Sequence, residues 1–163
     1  MNRIAQACLL VAIAGLLAYS SRVALLAQTS DNPHVGTWRI SVSESTFSPA
    51  VVPPKSDTAT IVAVGAGQKV IVDQIAADGR TTHWEYTANY DGKDYPITGS
   101  NNDTVALTRI DARTIQSVFK KAGKVTSSQV AVVSVDGKTL TRTTKGLNAA
   151  GESVERATVF HKQ

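Results

Sequence analysis

Cysteine is almost absent from this sequence. The one cysteine, Cys8, lies in an apolar segment near the N-terminus. The rest of the chain can therefore form no disulfide and has no cysteine nucleophile. Its stability has to come from a hydrophobic core, and a domain of about 136 residues is large enough to bury one.

Charged residues are also sparse, at 18% of the chain. Of the 17 lysine and arginine residues, Arg3 and Arg22 lie in the N-terminal segment, which leaves an excess of only two positive charges over the 13 acidic residues. Apart from Lys120, Lys121 and Lys124, the basic residues are scattered. Nucleic-acid binding requires a basic patch or stripe, so we expect no nucleic-acid partner.

The sequence contains no motif of the common enzyme classes, neither a Gly-x-Ser-x-Gly segment nor a phosphate-binding loop. His34, His83 and His161 are too far apart to match the spacing of metal ligands, and we interpret all three as surface residues. Asp91 and Asp94 flank a turn, where carboxylates remain solvated. We therefore predict no catalytic residue, no metal site and no cofactor, and nothing in the sequence positively indicates an enzyme.

The N-terminus holds the longest uncharged apolar run. Arg3 precedes the uncharged residues 4–21, a pattern typical of an export signal. We predict a signal peptide at residues 1–27 and one domain at residues 28–163, which is secreted or periplasmic and has no membrane span in its mature form. An uncleaved signal anchor is the alternative, because a run of this length can cross a bilayer.

Threonine, serine, valine and alanine are abundant after this segment, and that balance favours strands over helices. Turn pairs such as Asp78-Gly79, Asp91-Gly92 and Asp136-Gly137 separate short alternating runs, and no convincing helical period of 3.6 residues appears. The predicted strands are residues 36–42, 58–64, 69–75, 81–90, 95–98, 104–110, 114–121, 125–135, 139–145 and 153–161.

Every link between these strands is short except the first, residues 47–56, which contains Pro49, Pro53 and Pro54. Short links favour antiparallel neighbours, and closure removes exposed strand edges. We therefore predict an all-β domain, an up-and-down antiparallel β-barrel of eight to ten strands. A β-sandwich is the alternative, and the barrel requires the first strand to pair with the last.

Aromatic residues make up 6% of the chain and concentrate in residues 81–98. Side chains alternate along a strand, so Trp84, Tyr86 and Tyr90 share a face with Ala88, while His83 points away. Three aromatic rings with polar tips on one face are typical of a pocket wall. We predict that Trp84, Tyr86 and Tyr90 line a ligand cavity, with Tyr95 near its mouth.

The segment Gly36-Thr37-Trp38-Arg39 opens the first predicted strand, and Thr158-Val159-Phe160-His161-Lys162 ends the last. The first segment resembles the opening of the lipocalin and fatty-acid-binding superfamily, the calycins, in which this tryptophan closes the base of the barrel. The resemblance implies a structural base formed by Gly36 and Trp38. It also implies a late-strand arginine stacked on Trp38, for which Arg156 is the candidate ahead of Arg142.

The chain departs from the fatty-acid-binding branch at two places. The positions of that branch's carboxylate-binding arginine and tyrosine hold Thr158 and Phe160, and the proline-rich residues 47–56 stand where it has two helices. The resemblance is therefore closest to small exported lipocalin-like barrels, which implies a binding protein for a small molecule.

Two functions remain open from the sequence. The first is an exported protein that carries an apolar or amphipathic small molecule in a barrel cavity. The second is an envelope or extracellular interaction module whose barrel is filled by its own side chains. Small residues at presumed inward positions favour the cavity. These positions are Val62, Val72, Ala88, Val105 and Val132. The oligomeric state stays open.

Overall fold

The computed structural model describes residues 32–147 and 151–163, and the signal peptide predicted at residues 1–27 lies outside these ranges. The described residues form ten β-strands. These are β1 (Gly36–Phe47), β2 (Ser56–Val64), β3 (Gly67–Ile75), β4 (Thr81–Asn89), β5 (Asp91–Thr98), β6 (Thr104–Arg109), β7 (Thr114–Lys121), β8 (Lys124–Val133), β9 (Thr139–Leu147) and β10 (Ser153–Lys162). Within the described ranges, no helix is both long and apolar enough to cross a membrane.

The strands form one closed antiparallel barrel in which each strand pairs with its neighbours in the sequence. The first strand also pairs with the last, with Arg39 opposite His161, while Trp38 faces Ala59 on the other side. This pairing leaves neither β1 nor β10 as a free edge. The predicted barrel is therefore confirmed, with ten strands, and the sandwich is excluded.

The barrel has two different ends. Residues 32–35, which precede β1, cover one end together with the β6–β7 and β8–β9 turns, and we call this the closed end. The opposite end carries the proline-rich link between β1 and β2 and the β5–β6 loop, and we call this the open end. Each strand runs from one end to the other, so each contributes inward residues to both ends.

The predicted alternation in β4 is confirmed. Tyr86 and Ala88 are buried, Trp84 is half-buried against the core, and His83 and Thr87 are exposed. The predicted hairpin of β4 with β5 forms, but the two strands pair over a short stretch, at Glu85 with Thr98 and at Tyr86 with Ile97. Residues 91–96 of β5 pair with β6, and Tyr95 lies opposite Val105 in that pairing.

Two of the presumed inward valines face outward. Val62 is 47% exposed and Val132 is 42% exposed, whereas Val72, Ala88 and Val105 are buried in the core as predicted. The reason is that β2 and β8 carry apolar residues on both faces, so their alternation did not determine which face points inward. Pairing of β2 and β8 with their neighbouring strands decides which face of each points inward.

Candidate functional site

A cavity of about 210 Å³ lies inside the barrel on the side of the open end. Its wall contains three charged side chains, Asp57 from β2, Arg142 from β9 and Arg156 from β10. Gln74 and Gln129 add amide groups, and the aromatic part of the wall is formed by Phe47, Trp84, Phe119 and Phe160. The cavity is therefore polar on several sides and apolar on others.

The inward faces of the strands change character from one end to the other. In β9 the buried Leu140 is followed on the same face by Arg142 and Thr144, and in β10 the buried Phe160 is preceded by Thr158. Strand β2 shows the same change from Ile61 and Ala59 to Asp57. Strand β3 shows it from Val70 and Val72 to Gln74. Closure of the barrel aligns these faces, so Ile61, Val70, Leu140 and Phe160 lie towards the closed end and Asp57, Gln74 and Arg142 lie towards the open end. Gln68 is an exception, a buried polar residue on β3 at the closed end.

Arg142 is the most deeply buried charge of the cavity, with a relative exposure of 8%. Its guanidinium carbon lies 4.5 Å from the centroid of the Phe160 ring, a distance at which the ring face attracts a cation. Burial lowers the pKa of Arg142 from its ordinary value, and the negative charge of Asp57 opposes that change. An arginine stays protonated at neutral pH, so the cavity contains a permanent cation.

Asp57 is held from one side only. Its Oδ2 accepts a hydrogen bond of 3.1 Å from Gln74 Nε2, whereas its Oδ1 is buried without a hydrogen-bond partner among the described residues. Burial raises the pKa of Asp57 above its ordinary value, while the charges of Arg142 and Arg156 and the Gln74 hydrogen bond act in the opposite direction. The carboxyl group is therefore easier to protonate than a solvated aspartate.

Trp84 lies at the boundary between the cavity and the core. Its ring stacks on Tyr86 with centroids 6.1 Å apart and meets Phe119 edge to face at 6.4 Å. Trp84 lines the cavity, as the sequence predicted, but Tyr86 lies deeper, beside a second space of about 20 Å³. Burial raises the pKa of Tyr86 to about 12, so its hydroxyl group stays neutral.

Tyr90 and Tyr95 do not line the cavity. The Tyr90 hydroxyl donates a hydrogen bond to Gln68 Oε1 at 3.0 Å and accepts one from Asn32 Nδ2 at 3.1 Å, both at the closed end. The Tyr95 hydroxyl donates to Asp91 Oδ2 at 3.1 Å. Tyr90 therefore lies at the β4–β5 turn of the closed end, and Tyr95 lies on β5, where its hydroxyl group contacts Asp91 rather than the cavity.

The closed end is built around Trp38, which is fully buried, and Trp38 Nε1 donates a hydrogen bond of 2.8 Å to the His34 carbonyl. The prediction that His34 lies at the surface is wrong, because its relative exposure is 1%, whereas His83 and His161 are exposed. Burial, followed by the Arg109 charge, lowers the pKa of His34 to about 4. His34 is therefore neutral at physiological pH, and its Nε2 has no partner among the described residues.

Arg156 is not the cation that covers Trp38. Lys162, which lies opposite Trp38 in the β1–β10 pairing, places its Nζ 5.1 Å from the centroid of the Trp38 ring. Arg156 pairs with Phe47 near the other end of the same two strands and lines the cavity. Gly36 has a φ angle of +137°, which only glycine adopts without strain, and this allows the chain to turn from His34 into β1.

Asp57 and Gln74 were not among the predicted site residues, and Arg142 and Arg156 were candidates for a different role, stacking on Trp38. A signal for Asp57 and Arg142 was nevertheless present, because each lies two residues from an apolar residue on the same face of a strand, Ala59 and Leu140. A charged residue on an otherwise apolar face indicates a buried charge, which proteins retain where it is paired or used. Convergence of residues from β2, β9 and β10 on one cavity is a property of the closed barrel.

No group of three or more histidine, cysteine, aspartate or glutamate side chains is arranged to hold a metal ion in residues 32–147 and 151–163. The cavity contributes Asp57 alone from that set, beside two arginines that repel cations. Its chemistry suits hydrogen-bond acceptors and anions rather than metals.

No protein-family model and no curated protein matches the chain. Among solved structures, the zebrafish ileal bile acid-binding protein complexed with cholic acid is similar to it, with a TM-score of 0.51 and 13% identity over 80% of this chain and 99% of that chain. The siderocalin Ex-FABP, described as functioning through dual ligand specificities, has a TM-score of 0.40 and 13% identity over 79% of this chain and 73% of that chain. At this identity the first similarity shows the fold alone, and at that level it confirms the architectural resemblance to calycin barrels.

Proposed function

We propose that this protein binds one small amphipathic molecule with an anionic group inside the barrel. The observation that carries the proposal is the cavity beside the open end, whose wall contains two guanidinium groups and one carboxyl group. The anionic group would lie between Arg142 and Arg156, and the apolar part would contact Phe160, Trp84 and Phe119. This refines the sequence-based expectation of an aromatic pocket for an apolar or amphipathic ligand.

The charges of the cavity support an anion. Two arginines face a single carboxylate, so the wall has an excess of positive charge even when Asp57 is ionised. A buried charge is costly unless a partner compensates it, and a guanidinium group binds a carboxylate, sulfonate or phosphate through two parallel hydrogen bonds. An anionic ligand would therefore gain more from this cavity than a neutral molecule of the same shape.

The volume supports a small ligand. Pockets for drug-sized molecules measure about 300–1,000 Å³, and the cavity of about 210 Å³ lies below that range. A single aromatic ring or a short chain with an acidic group suits this space better than a long-chain lipid. The zebrafish protein is complexed with cholic acid, but the small volume in this chain favours a smaller acid.

We further propose that the protein is exported, so that binding occurs in the periplasm or outside the cell. The support is the apolar run at residues 4–21 after Arg3. N-terminal sequencing of protein isolated from its host would test this. A mature N-terminus near residue 28 supports export with cleavage, and an intact N-terminus in a membrane fraction supports the signal anchor.

The filled-barrel interaction module remains the second candidate, because one specific observation favours it. The closed half of the barrel is already filled by Trp38, Leu107, Leu140 and other fully buried side chains. A protein of this kind would retain its fold without binding any small molecule in the open half.

Isothermal titration calorimetry with benzenesulfonate and benzenesulfonamide tests the proposal. The two probes share one ring, but only the first carries a negative charge. We expect the parent to bind benzenesulfonate in preference to benzenesulfonamide, and Arg142→Met to weaken that binding about 10- to 100-fold, the range for a charged hydrogen bond. Trp fluorescence gives a second readout, because Trp84 lines the cavity.

Arg39→Met is the matched control, because Arg39 lies on the exposed face of β1 and its loss removes the same charge from the outside of the barrel. Equal weakening by both variants would mean that the probe binds by general attraction to the surface. If neither probe binds, and native mass spectrometry of protein from the host finds no bound small molecule, the filled-barrel module replaces this proposal.

A further inference from the structure

The two carboxylate oxygens of Asp57 differ in their hydrogen bonding, and this difference bears on how the cavity would accept an anion. Asp57 shares the cavity with both arginines, yet its Oδ1 has no hydrogen-bond partner among the described residues and its Oδ2 accepts from the neutral Gln74. It therefore lies near the guanidinium groups, but its Oδ1 accepts a hydrogen bond from neither of them. A carboxylate in this position can give up its charge without breaking a close ion pair at that atom.

We infer that Asp57 is an internal counter-ion which the anionic group of the ligand replaces, so that binding of the ligand is coupled to uptake of a proton by Asp57. This inference rests on the proposed function and adds a regulation to it. The proton comes from the solvent and adds to the Asp57 carboxylate, while the ligand keeps its charge and lies beside Arg142 and Arg156.

The small cavity brings an entering anion close to Asp57. In a space of about 210 Å³ the two negative charges interact strongly at the effective dielectric constant of a protein site. The new negative charge raises the pKa of Asp57 further, since a like charge disfavours ionisation. Burial already raises this pKa above the ordinary value before any ligand is present.

Few other charges face Asp57. The residue opposite it on β3 is the neutral Gln74, and on the other side of β1 the strands β10 and β9 contribute Arg156 and Arg142 to the same cavity. At the rim, Arg80 is paired with Asp78 through a contact of 2.7 Å. His34 lies beyond Arg142, beside the smaller space at the closed end. Among the described residues that line the cavity, Asp57 is therefore the acidic group whose protonation changes the charge seen by the ligand.

The direction of the pH effect follows from this geometry. Above the pKa that Asp57 has in the complex, the ionised carboxylate competes with the ligand for the two arginines and weakens binding. As the pH falls through that pKa, Asp57 becomes neutral and affinity rises. The Asp57→Asn variant mimics the neutral state at every pH. It should therefore bind an anion more tightly at neutral pH and lose the pH dependence.

The test uses benzenesulfonate, which remains ionised between pH 5 and 8, so any proton taken up belongs to the protein. Calorimetric titrations of the full chain in two buffers of different ionisation enthalpy measure that uptake directly. We expect a measurable uptake of up to one proton per bound probe, with affinity rising as the pH falls from about 8 to about 5. At pH 7.5, Asp57→Asn should bind about 10- to 50-fold more tightly than the parent, as expected for removal of one like charge at this distance.

The matched control is Asp73→Asn, which removes a carboxylate from the exposed face of the neighbouring strand β3. It should leave both the affinity and the proton uptake of the parent unchanged. Weaker binding by Asp57→Asn would mean that Asp57 positions the arginines, and an unchanged pH dependence would assign the proton to another group. Either result overturns the inference while the parent still binds the probe.

Two further outcomes keep the test decisive. If benzenesulfonate binds neither the parent nor Asp57→Asn at any pH, the proposed anion site itself is wrong. If Asp57→Asn does not fold, the buffer comparison on the parent decides alone, because binding without proton uptake between pH 5 and 8 contradicts the coupling.

Discussion

The closed and open halves of the barrel are built from the same ten strands but have opposite interiors. At the closed end Trp38, Leu107 and Leu140 are fully buried, and the polar groups of Trp38 and Tyr90 are hydrogen-bonded to their neighbours. At the open end Asp57 and Arg142 lie beside a cavity. We therefore expect the closed half to supply most of the stability, whereas the open half contains the proposed binding cavity.

The largest expected effect tests the stabilising role of the closed half. Replacing Trp38 by alanine should lower the free energy of unfolding by about 3–5 kcal/mol, because it removes a fully buried indole and leaves a cavity. Urea denaturation followed by circular dichroism measures the loss. Trp84→Ala is the matched control and should cost less, since Trp84 is half-buried and already borders an open space. Equal losses would mean that the two halves contribute alike.

The second prediction concerns the pH dependence of the closed half. His34 has a pKa of about 4 in the folded protein against 6.5 for an ordinary histidine, so the unfolded chain binds the proton more readily. The stability that the neutral His34 contributes is complete above about pH 6.5 and is lost as the pH falls towards 4. The loss reaches about 3 kcal/mol at pH 4. We expect His34→Gln to lose less stability than the parent between pH 7.5 and pH 4.

Urea denaturation at several pH values measures this difference. His83→Gln is the control, because His83 is exposed and contacts Asp73 at the surface with a distance of 2.7 Å. If the free energy of unfolding falls equally with pH in the parent and in His34→Gln, the burial of a neutral His34 at the closed end is contradicted.

The smallest expected effect is on the stability of the open half. Arg142→Met should change the free energy of unfolding by no more than about 1 kcal/mol, because the methionine keeps an apolar stem on Phe160 and removes a desolvated charge. Arg156 remains beside Asp57 in this variant. A loss above about 3 kcal/mol would identify Arg142 as a structural ion-pair partner, and the two halves would then share the task of stabilising the fold.

Several features of the fold were predicted correctly because they depend on neighbouring residues in the sequence. The Asp136-Gly137 turn between β8 and β9 is one, since Gly137 adopts a φ angle of +70° that favours glycine. The inward orientation of Tyr86 and Ala88 is another, because side chains alternate along an extended chain. The β1–β10 closure was inferred from short connections and the instability of free edges, and the pairing of Arg39 with His161 confirms it. The turn predicted at Asp91-Gly92 is wrong, because the chain turns at Tyr90 and these two residues begin β5, where its register with β6 is irregular.

The errors occurred where alternation was ambiguous or where a residue left its strand. Val62 and Val132 lie on strands with apolar residues on both faces, and His34 precedes the first strand, where no alternation applies. His34 is buried because the Trp38 indole donates to its carbonyl and draws the segment beneath the barrel. Tertiary contacts, rather than local preference, decided these positions.

The sequence by itself determined the β class of this protein, the approximate bounds of its strands and the face of β4 that points inward, because these depend on spacings of two residues and on turn chemistry. Only the tertiary structure decided which end of the barrel is open and which charges meet there. Asp57 is separated from Arg142 by more than eighty residues, and they reach one cavity because the β1–β10 closure leaves only β1 and β10 between β2 and β9 around the barrel. Local spacing carries no information about that distance.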